Sequence, residues 1–446
     1  MEDYRSLADR IAADISAGRL KPGQRLPPQR QFARRRGIAA STAGRVYGEL
    51  VRRGLVVGEV GRGTFVRAFP VPSGRALAEP ATRAPVDLEV DHPSVPGQSE
   101  LLAAGIEPLL RPDVLEEATR TAPAAGTPAA REAAAGLLAT AGWRPARDRL
   151  LFAGNARQAI AGALATLVRP GGRVGVERLT YPPVKEVAAR LAIVLVPLAT
   201  DEQGLRPDAL AAAHRSSPLS AVYVQPTLHN PTSVTTGQER RRRLAATAHA
   251  LKLPVIEDRV WSFLCGAEDG VPLAAYAPER TYVVDGLSKR VAPGLTVGFL
   301  VVPEGRGEDA ARALRSGGWT AGRFALEAAV RWMEDGIVTR LVEAKRADAA
   351  ARQRLVAEHL HGLAVRADPR ACFAWWRLPR PWRAERFAAA AAERGIAVTP
   401  GPAFAAAGRA AEGAAADCVR LGLASVPLPE LARALRTLAG VARTGP

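Results

Sequence analysis

Lysine is scarce in this chain. Of its 61 basic residues only those at positions 21, 185, 252, 289 and 345 are lysine, and the rest are arginine. Arginine stays protonated, whereas a lysine can lose its proton and attack a carbonyl. A lysine kept inside a Ser/Gly/Pro-rich turn, DGLSKRVAPGLTVGF at 285–299, is therefore a candidate for covalent chemistry. Long apolar runs are missing too: no window reaches 18 uninterrupted apolar residues, which excludes a membrane-spanning helix. The most apolar run, VAARLAIVLVPLA (187–199), is broken by Arg190 and Pro197 and predicts a helix end followed by a buried strand. Three cysteines, Cys265, Cys372 and Cys418, form no CxxC pair, which excludes a disulfide scaffold and points to a reducing compartment. The six histidines show no metal-ligand spacing, and MEDYRSLADR lacks the basic-then-apolar order of a signal peptide. A cytoplasmic protein without a metal is the expectation.

What remains is globular and long enough for two or three domains: 446 residues, 48% hydrophobic and 24% charged. The net charge of +17 is concentrated at the start, where residues 1–70 hold 14 basic against 6 acidic side chains. Such density suggests a polyanion partner. Tyr4, Leu7, Ile11 and Ile15 share one face of a helix. A second helix, QRQFARRRG, ends at Gly37. A third, STAGRVYGELVRRG (41–54), begins with a Ser/Thr cap signal and turns Val46, Leu50 and Val51 inward. LVVGEVGRGTFV (55–66) then reads as a hairpin around Gly58, Gly61 and Gly63. Three helices and a hairpin is the order of a winged helix-turn-helix.

The wording GRLKPGQRLPPQRQFARRRGI, with GELVRRGLV and GRGTFV, resembles the GntR-type winged-helix DNA-binding domain. The resemblance implies that Arg30 contacts phosphate. It places Ser41, Thr42 and Arg45 on the recognition helix, and Arg62, Gly63 and Thr64 at the wing tip. Ala39 and Ala40 stand where that family usually has a polar and a basic residue, so thinner base readout is expected.

A Pro/Ala-rich linker (71–86) separates this domain (1–70) from residues 87–446, where strand-like and helix-like runs alternate. The strand-like runs are DRLLFAG, GRVGVE, SAVYVQPT, LPVIEDRVW and TYVVDG. In a mostly parallel sheet, ligands collect beyond the strand C-termini. Asn155, Tyr181, Asn230, Asp258 and Lys289 fall there. Pyridoxal phosphate requires such a set: a lysine for a Schiff base, an acid facing the ring nitrogen, a flat partner for the ring and an anion site. Lys289, Asp258 and Tyr181 suit the first three roles. The loop Asn155–Ala156–Arg157 opens a helix and suits the phosphate, and Arg420 can take a carboxylate with its fork.

The motifs GNARQAI, ERLTYPP, QPTLHNPTS, VIEDRVW, GLSKRVAPGLTVGF and VRLGLA resemble the fold-type I, class I aminotransferases. Joined to a GntR-type domain, they are similar to the MocR group of bacterial transcription regulators. That resemblance implies a mostly parallel central sheet with flanking helices and a smaller C-terminal α+β subdomain. It assigns Asn230 to the ring hydroxyl, with Ser288 and Arg290 flanking the cofactor lysine. Its further implications are a double-stranded DNA operator, a small amino compound or pyridoxal phosphate itself as the effector, and a homodimer.

Three positions depart from that pattern. Thr296 replaces an arginine that grips the cofactor phosphate, Arg259–Val260–Trp261 lacks the usual tyrosine, with Val260 assigned to its place, and NPTG has become NPTS at Ser233. A charged hydrogen bond lost to phosphate weakens binding by about 1.5–3 kcal/mol, ten- to a hundredfold. Arg157 or Arg290 is expected to replace part of the missing charge. Without the tyrosine, proton shuttling slows, so effector sensing is expected over fast transamination. The alternatives are a working aminotransferase with an attached DNA-binding domain, or a regulator whose site has lost its cofactor.

Overall fold

Burial of the amphipathic N-terminal face organises the first part of the chain. Leu7, Ala8 and Ile11 are helical and inaccessible, packed with Leu26, Phe32, Val46, Tyr47 and Leu50. The helix Gln29–Arg36 stops at Gly37, whose left-handed φ of 63° a residue with a Cβ adopts only at a cost. The next helix is Ala40–Arg52, so Ser41 and Thr42 lie within its first turn instead of capping it. Its inner face is Ala43, Val46, Tyr47 and Leu50; Val51, expected inside, is 49% exposed at the border of that face. The Tyr47 hydroxyl donates to the Pro27 carbonyl at 2.6 Å and ties this helix to the preceding turn. Strands Val56–Glu59 and Gly63–Val66 pair antiparallel, Val56 opposite Val66, to form the expected hairpin.

A computed structural model describes residues 4, 7, 8, 10, 11, 14, 19, 20, 24–52, 55–59, 63–66, 84–266, 270–406, 413 and 415–445. It divides into two compact units, Met1–Arg75 and Ala76–Pro446. Ile15, Arg62 and most of the linker lie outside the described residues.

The larger unit is built on a seven-stranded sheet. Its order is Leu150–Ala153, Gly298–Val301, Thr281–Gly286, Val255–Asp258, Ala221–Val224, Arg173–Glu177 and Val194–Leu198. Only Gly298–Val301 runs antiparallel to its neighbours. The central strands are buried along their whole length, as a sheet covered on both faces requires. The apolar run 187–199 forms the end of the helix Pro182–Arg190 and the strand Val194–Leu198, as its pattern indicates. That strand is only half-buried because it is the sheet's edge, the place where Pro197 is tolerated.

A second sheet of five strands carries the C-terminal subdomain: Ala364–Arg366, Phe373–Arg377, Cys418–Gly422, Ile396–Pro400 and Val86–Leu88. The last strand comes from the start of the unit and lies parallel to Ile396–Pro400. Among the described residues no helix is long and apolar enough to cross a membrane.

Candidate functional site

Five of the expected residues stand at or just beyond the C-terminal ends of parallel strands. Asn155 follows Leu150–Ala153, Tyr181 follows Arg173–Glu177, Asn230 follows Ala221–Val224, Asp258 ends its own strand and Lys289 follows Thr281–Gly286. Electrostatics links Tyr181 to Asp258 and brings Arg157 and Arg420 to both Tyr181 and Lys289. Lys289 feels Asp91, Arg420 and Arg157, and Tyr181 feels Arg157, Asp258 and Arg420.

Lys289 sits in the turn after the strand Thr281–Gly286, with its amine donating to the Asp91 carbonyl. The same amine lies 5.2 Å from the centroid of the Trp261 indole. Burial pushes its pKa down to about 8, with Asp91 acting in the opposite sense. The turn is held from two sides. Arg290 gives both of its terminal nitrogens to Asp285 and also reaches the Gly286 carbonyl at 3.1 Å. Lys345, on the helix Ile337–His359, donates to the carbonyls of Lys289 at 3.1 Å and Val291 at 2.6 Å. Arg290 is therefore engaged in the turn and is not the free cation expected in place of the missing arginine.

Burial also pushes Lys345 down to about 8. Exchanging it for methionine keeps the stem and strands two carbonyls, so Lys345→Met should destabilise the larger unit by about 1–3 kcal/mol in urea unfolding. The folded amine gives up its proton near pH 8 and the unfolded one near 10.5, so folding releases protons in that window. Wild-type stability should rise from pH 8 towards 10, and the variant should show less of that rise.

Asp258 is buried at the end of Val255–Asp258. Its Oδ2 accepts from the Tyr223 hydroxyl at 2.6 Å and from Gln225 Nε2 at 2.8 Å, while Oδ1 accepts from the Val260 amide at 3.1 Å. Desolvation raises its pKa to about 6 against those hydrogen bonds. Asn155 caps the helix Ala156–Leu167, its Oδ1 accepting from the Gln158 amide at 2.9 Å. The cap side chain is thus engaged, leaving the first-turn N–H groups as the anion donors. Gly298 lets this turn approach: a Cβ there would stand 2.3 Å from the Asn155 carbonyl. Arg157 is exposed, and its positive charge acts on the Tyr181 hydroxyl. Ser288 is half-buried beside Lys289.

Among the polar atoms buried here without protein partners are Asn230 Oδ1, Thr296 Oγ1 and Arg420 Nε. Together with a low-pKa amine, a buried carboxylate and a free helix N-terminus, they form a donor set that fits pyridoxal phosphate. Lys289, Asp258, Asn230, Tyr181 and the 155–157 turn are the residues that would hold it.

Several side chains take positions that the motifs do not reveal. Trp261, not Val260, presents its side chain to Lys289; Val260 packs among apolar residues. Ser233 adopts a left-handed φ of 60°, and its hydroxyl donates to the Phe373 carbonyl at 3.3 Å. The fork of Arg420 is taken at both terminal nitrogens: Asp91 Oδ2 accepts from Nη1, and Glu89 O and Thr399 Oγ1 accept from Nη2, while Nε has no partner. Lys345 had a signal, the same lysine scarcity that singled out Lys289. Asp91 had none.

In the smaller unit Arg30, Gly63 and Thr64 line one concavity with Arg25. Ser41 and Arg45 are exposed and Thr42 half-buried on the helix Ala40–Arg52, with the Arg45 guanidinium stacked on Tyr4 at 4.3 Å. Ala39 and Ala40 are exposed beside them.

Residues 3–66 match the bacterial regulatory proteins of the gntR family, and residues 87–438 match aminotransferase class I and II. The uncharacterized HTH-type transcriptional regulator YdeF of Bacillus subtilis is 29% identical over 89% of this chain and 85% of its own. The pyridoxine biosynthesis regulator PdxR of Corynebacterium glutamicum is 27% identical over 67% of this chain and 65% of its own. Among solved structures, an archaeal alanine:glyoxylate aminotransferase superposes with a TM-score of 0.73 at 20% identity, covering 80% of this chain and 91% of that one. The α-aminoadipate aminotransferase LysN of Thermus thermophilus gives 0.72 at 22%, covering 84% and 97%. The chain belongs to the aminotransferase class I and II family, and with its gntR-type domain it is a DNA-binding regulator of the MocR order.

Proposed function

We propose that this regulator holds pyridoxal phosphate in its aminotransferase-type domain and reads an amino compound there. The observation that carries the reading is the set of groups at the strand ends: Lys289 with its amine pushed down to about 8, Asp258 buried with hydrogen-bonding capacity left, and Asn230 Oδ1 unpartnered. When bound, the cofactor supplies an aldehyde for reversible capture of amines and a ring that withdraws electrons. The chain's own residues do the rest. Lys289 would offer the amine, Asp258 would serve the ring nitrogen, Asn230 the ring hydroxyl, Tyr181 the ring face, and Arg157 with the helix N-terminus the phosphate. Trp261 covers the Lys289 amine with an indole, which can shield but has no hydroxyl to relay a proton. That suits occupancy sensing over rapid turnover.

The signal passes to DNA as a difference in effector affinity between two arrangements of the regulator. A homodimer would place two winged helices on two half-sites. The test is the visible spectrum of purified protein with pyridoxal phosphate, before and after borohydride. A cofactor band that borohydride fixes to the chain supports the reading, and a spectrum equal to free cofactor sinks it.

Two results should follow from the same assignment. Arg157→Ala should weaken pyridoxal phosphate at least tenfold in an absorbance titration, since a charge-assisted phosphate contact is lost. On operator DNA, Arg30→Ala and Arg45→Ala should each weaken binding and reduce the salt dependence by about one counterion if they contact phosphate.

A further inference from the structure

Arg420 is the group expected to receive an effector's carboxylate, yet the protein already provides it with one. The strand Val86–Leu88 lies at the edge of the small sheet, and the chain then turns across Arg420. Asp87 Oδ1 accepts the amides of Glu89 at 2.7 Å and Val90 at 3.3 Å, which fixes the turn. Ser425 clamps the next residues, its hydroxyl donating to the Val90 carbonyl at 2.7 Å and accepting from the His92 amide at 3.0 Å. Between those two bonds stands Asp91. Its Oδ2 accepts from Arg420 Nη1, and its Oδ1 accepts from the Leu423 amide at 3.1 Å. Both partners are buried, Asp91 at 5% and Arg420 at 6% exposure. Gly422 makes the approach possible, because a Cβ there would stand 2.7 Å from the Val90 carbonyl and 3.0 Å from Asp91 Oδ1.

An α-carboxylate entering this place meets a guanidinium whose two terminal nitrogens already serve Asp91, Glu89 and Thr399, leaving only Nε unpartnered beside the Asp91 carboxylate. Displacing Asp91 would leave a buried carboxylate without its counter-charge, a strongly unfavourable outcome. Keeping Asp91 would set two carboxylates side by side. An amine with no carboxylate on its amine-bearing carbon meets neither obstacle. The Lys289 amine touches the Asp91 main chain, so the reacting group and the acid are neighbours.

We infer that Asp91 is a specificity-determining residue: it holds Arg420 as an internal counter-ion and restricts the effector to amines lacking an α-carboxylate. This rests on the pyridoxal phosphate reading above.

The experiment titrates two probes differing only in that carboxylate, n-pentylamine and L-norleucine, into the full-length, cofactor-loaded protein. Binding is read from the change in cofactor absorbance. Wild type should reach half-saturation with n-pentylamine at a concentration at least tenfold lower than with L-norleucine. Asp91→Asn retains an acceptor for the Leu423 amide but removes the charge. It should bind L-norleucine at least tenfold better, with n-pentylamine changed less than threefold, and adding Arg420→Ala should abolish the gain. Wild type binding L-norleucine as tightly as the amine overturns the inference, as does a folded Asp91→Asn protein with no gain. If Asp91→Asn does not fold, the wild-type pair of titrations decides alone. A wild-type protein with no bound-cofactor band instead defeats the cofactor reading, and this inference falls with it.

Discussion

Lys289→Ala should abolish the bound-cofactor absorbance, and borohydride should fix no pyridoxal phosphate to the variant. The expectation comes from the state of the amine. An ordinary lysine near 10.5 is neutral for only about one molecule in a thousand at pH 7.5, whereas one near 8 is neutral for about a quarter. Burial does this, and the neutral amine is the form that attacks an aldehyde. None of the four other lysines is a substitute. Lys345 is engaged with two carbonyls of the same turn, Lys185 donates to the carbonyls of Ala403 at 2.7 Å and Ala405 at 3.0 Å, Lys252 precedes the strand Val255–Asp258 at the end opposite Asp258, and Lys21 lies outside the described residues. Retention of a borohydride-stable adduct in Lys289→Ala would remove this lysine from the site.

Cofactor affinity should rise with pH through about 6, and Asp258→Asn should lower it about a hundredfold while flattening that rise. Desolvation raises the Asp258 carboxyl above its ordinary value, so in the empty site it ionises only near pH 6. A group with a raised folded pKa stabilises the fold relatively at low pH, and that contribution is lost as pH rises through the folded value. Above pH 6 the empty site thus carries a buried anion at a cost, which a protonated ring nitrogen relieves. Below pH 6 the carboxyl is neutral and the pairing fades by up to tenfold per pH unit. Titrations from pH 5 to 8 test this: a wild-type affinity that falls through pH 6, or an Asp258→Asn protein that keeps the wild-type profile, contradicts it. Added pyridoxal phosphate should also raise the unfolding temperature more in wild type than in Asp258→Asn.

Much of this architecture is legible in the order of residues. The winged-helix core, Leu7 with Phe32, Val46 and Leu50, follows from helical spacing, and the hairpin from two β-branched runs around glycine. The strand ends of the large sheet were equally clear, because apolar runs of strand length stop at Asn155, Asp258 and Lys289. Local pattern failed at borders. Val51 belongs to an apolar stripe by spacing but is exposed at its edge, and Val194–Leu198 is apolar yet half-buried because no strand lies beyond it.

By itself, the sequence determined which groups carry chemistry. Scarcity marked Lys289, and strand-end position marked Asp258, Asn230 and the 155–157 turn, since backbone periodicity decides what a strand exposes at its end. Tertiary structure alone decided how those groups are paired. Arg290 belongs to Asp285 five residues away, and Arg420 belongs to Asp91 across 329 positions of chain. The second pairing arises because the strand Val86–Leu88 completes the edge of a sheet formed otherwise from the chain's last quarter. Charge pairing depends on distance in space, and no periodicity in the sequence records which distant strand will close a sheet.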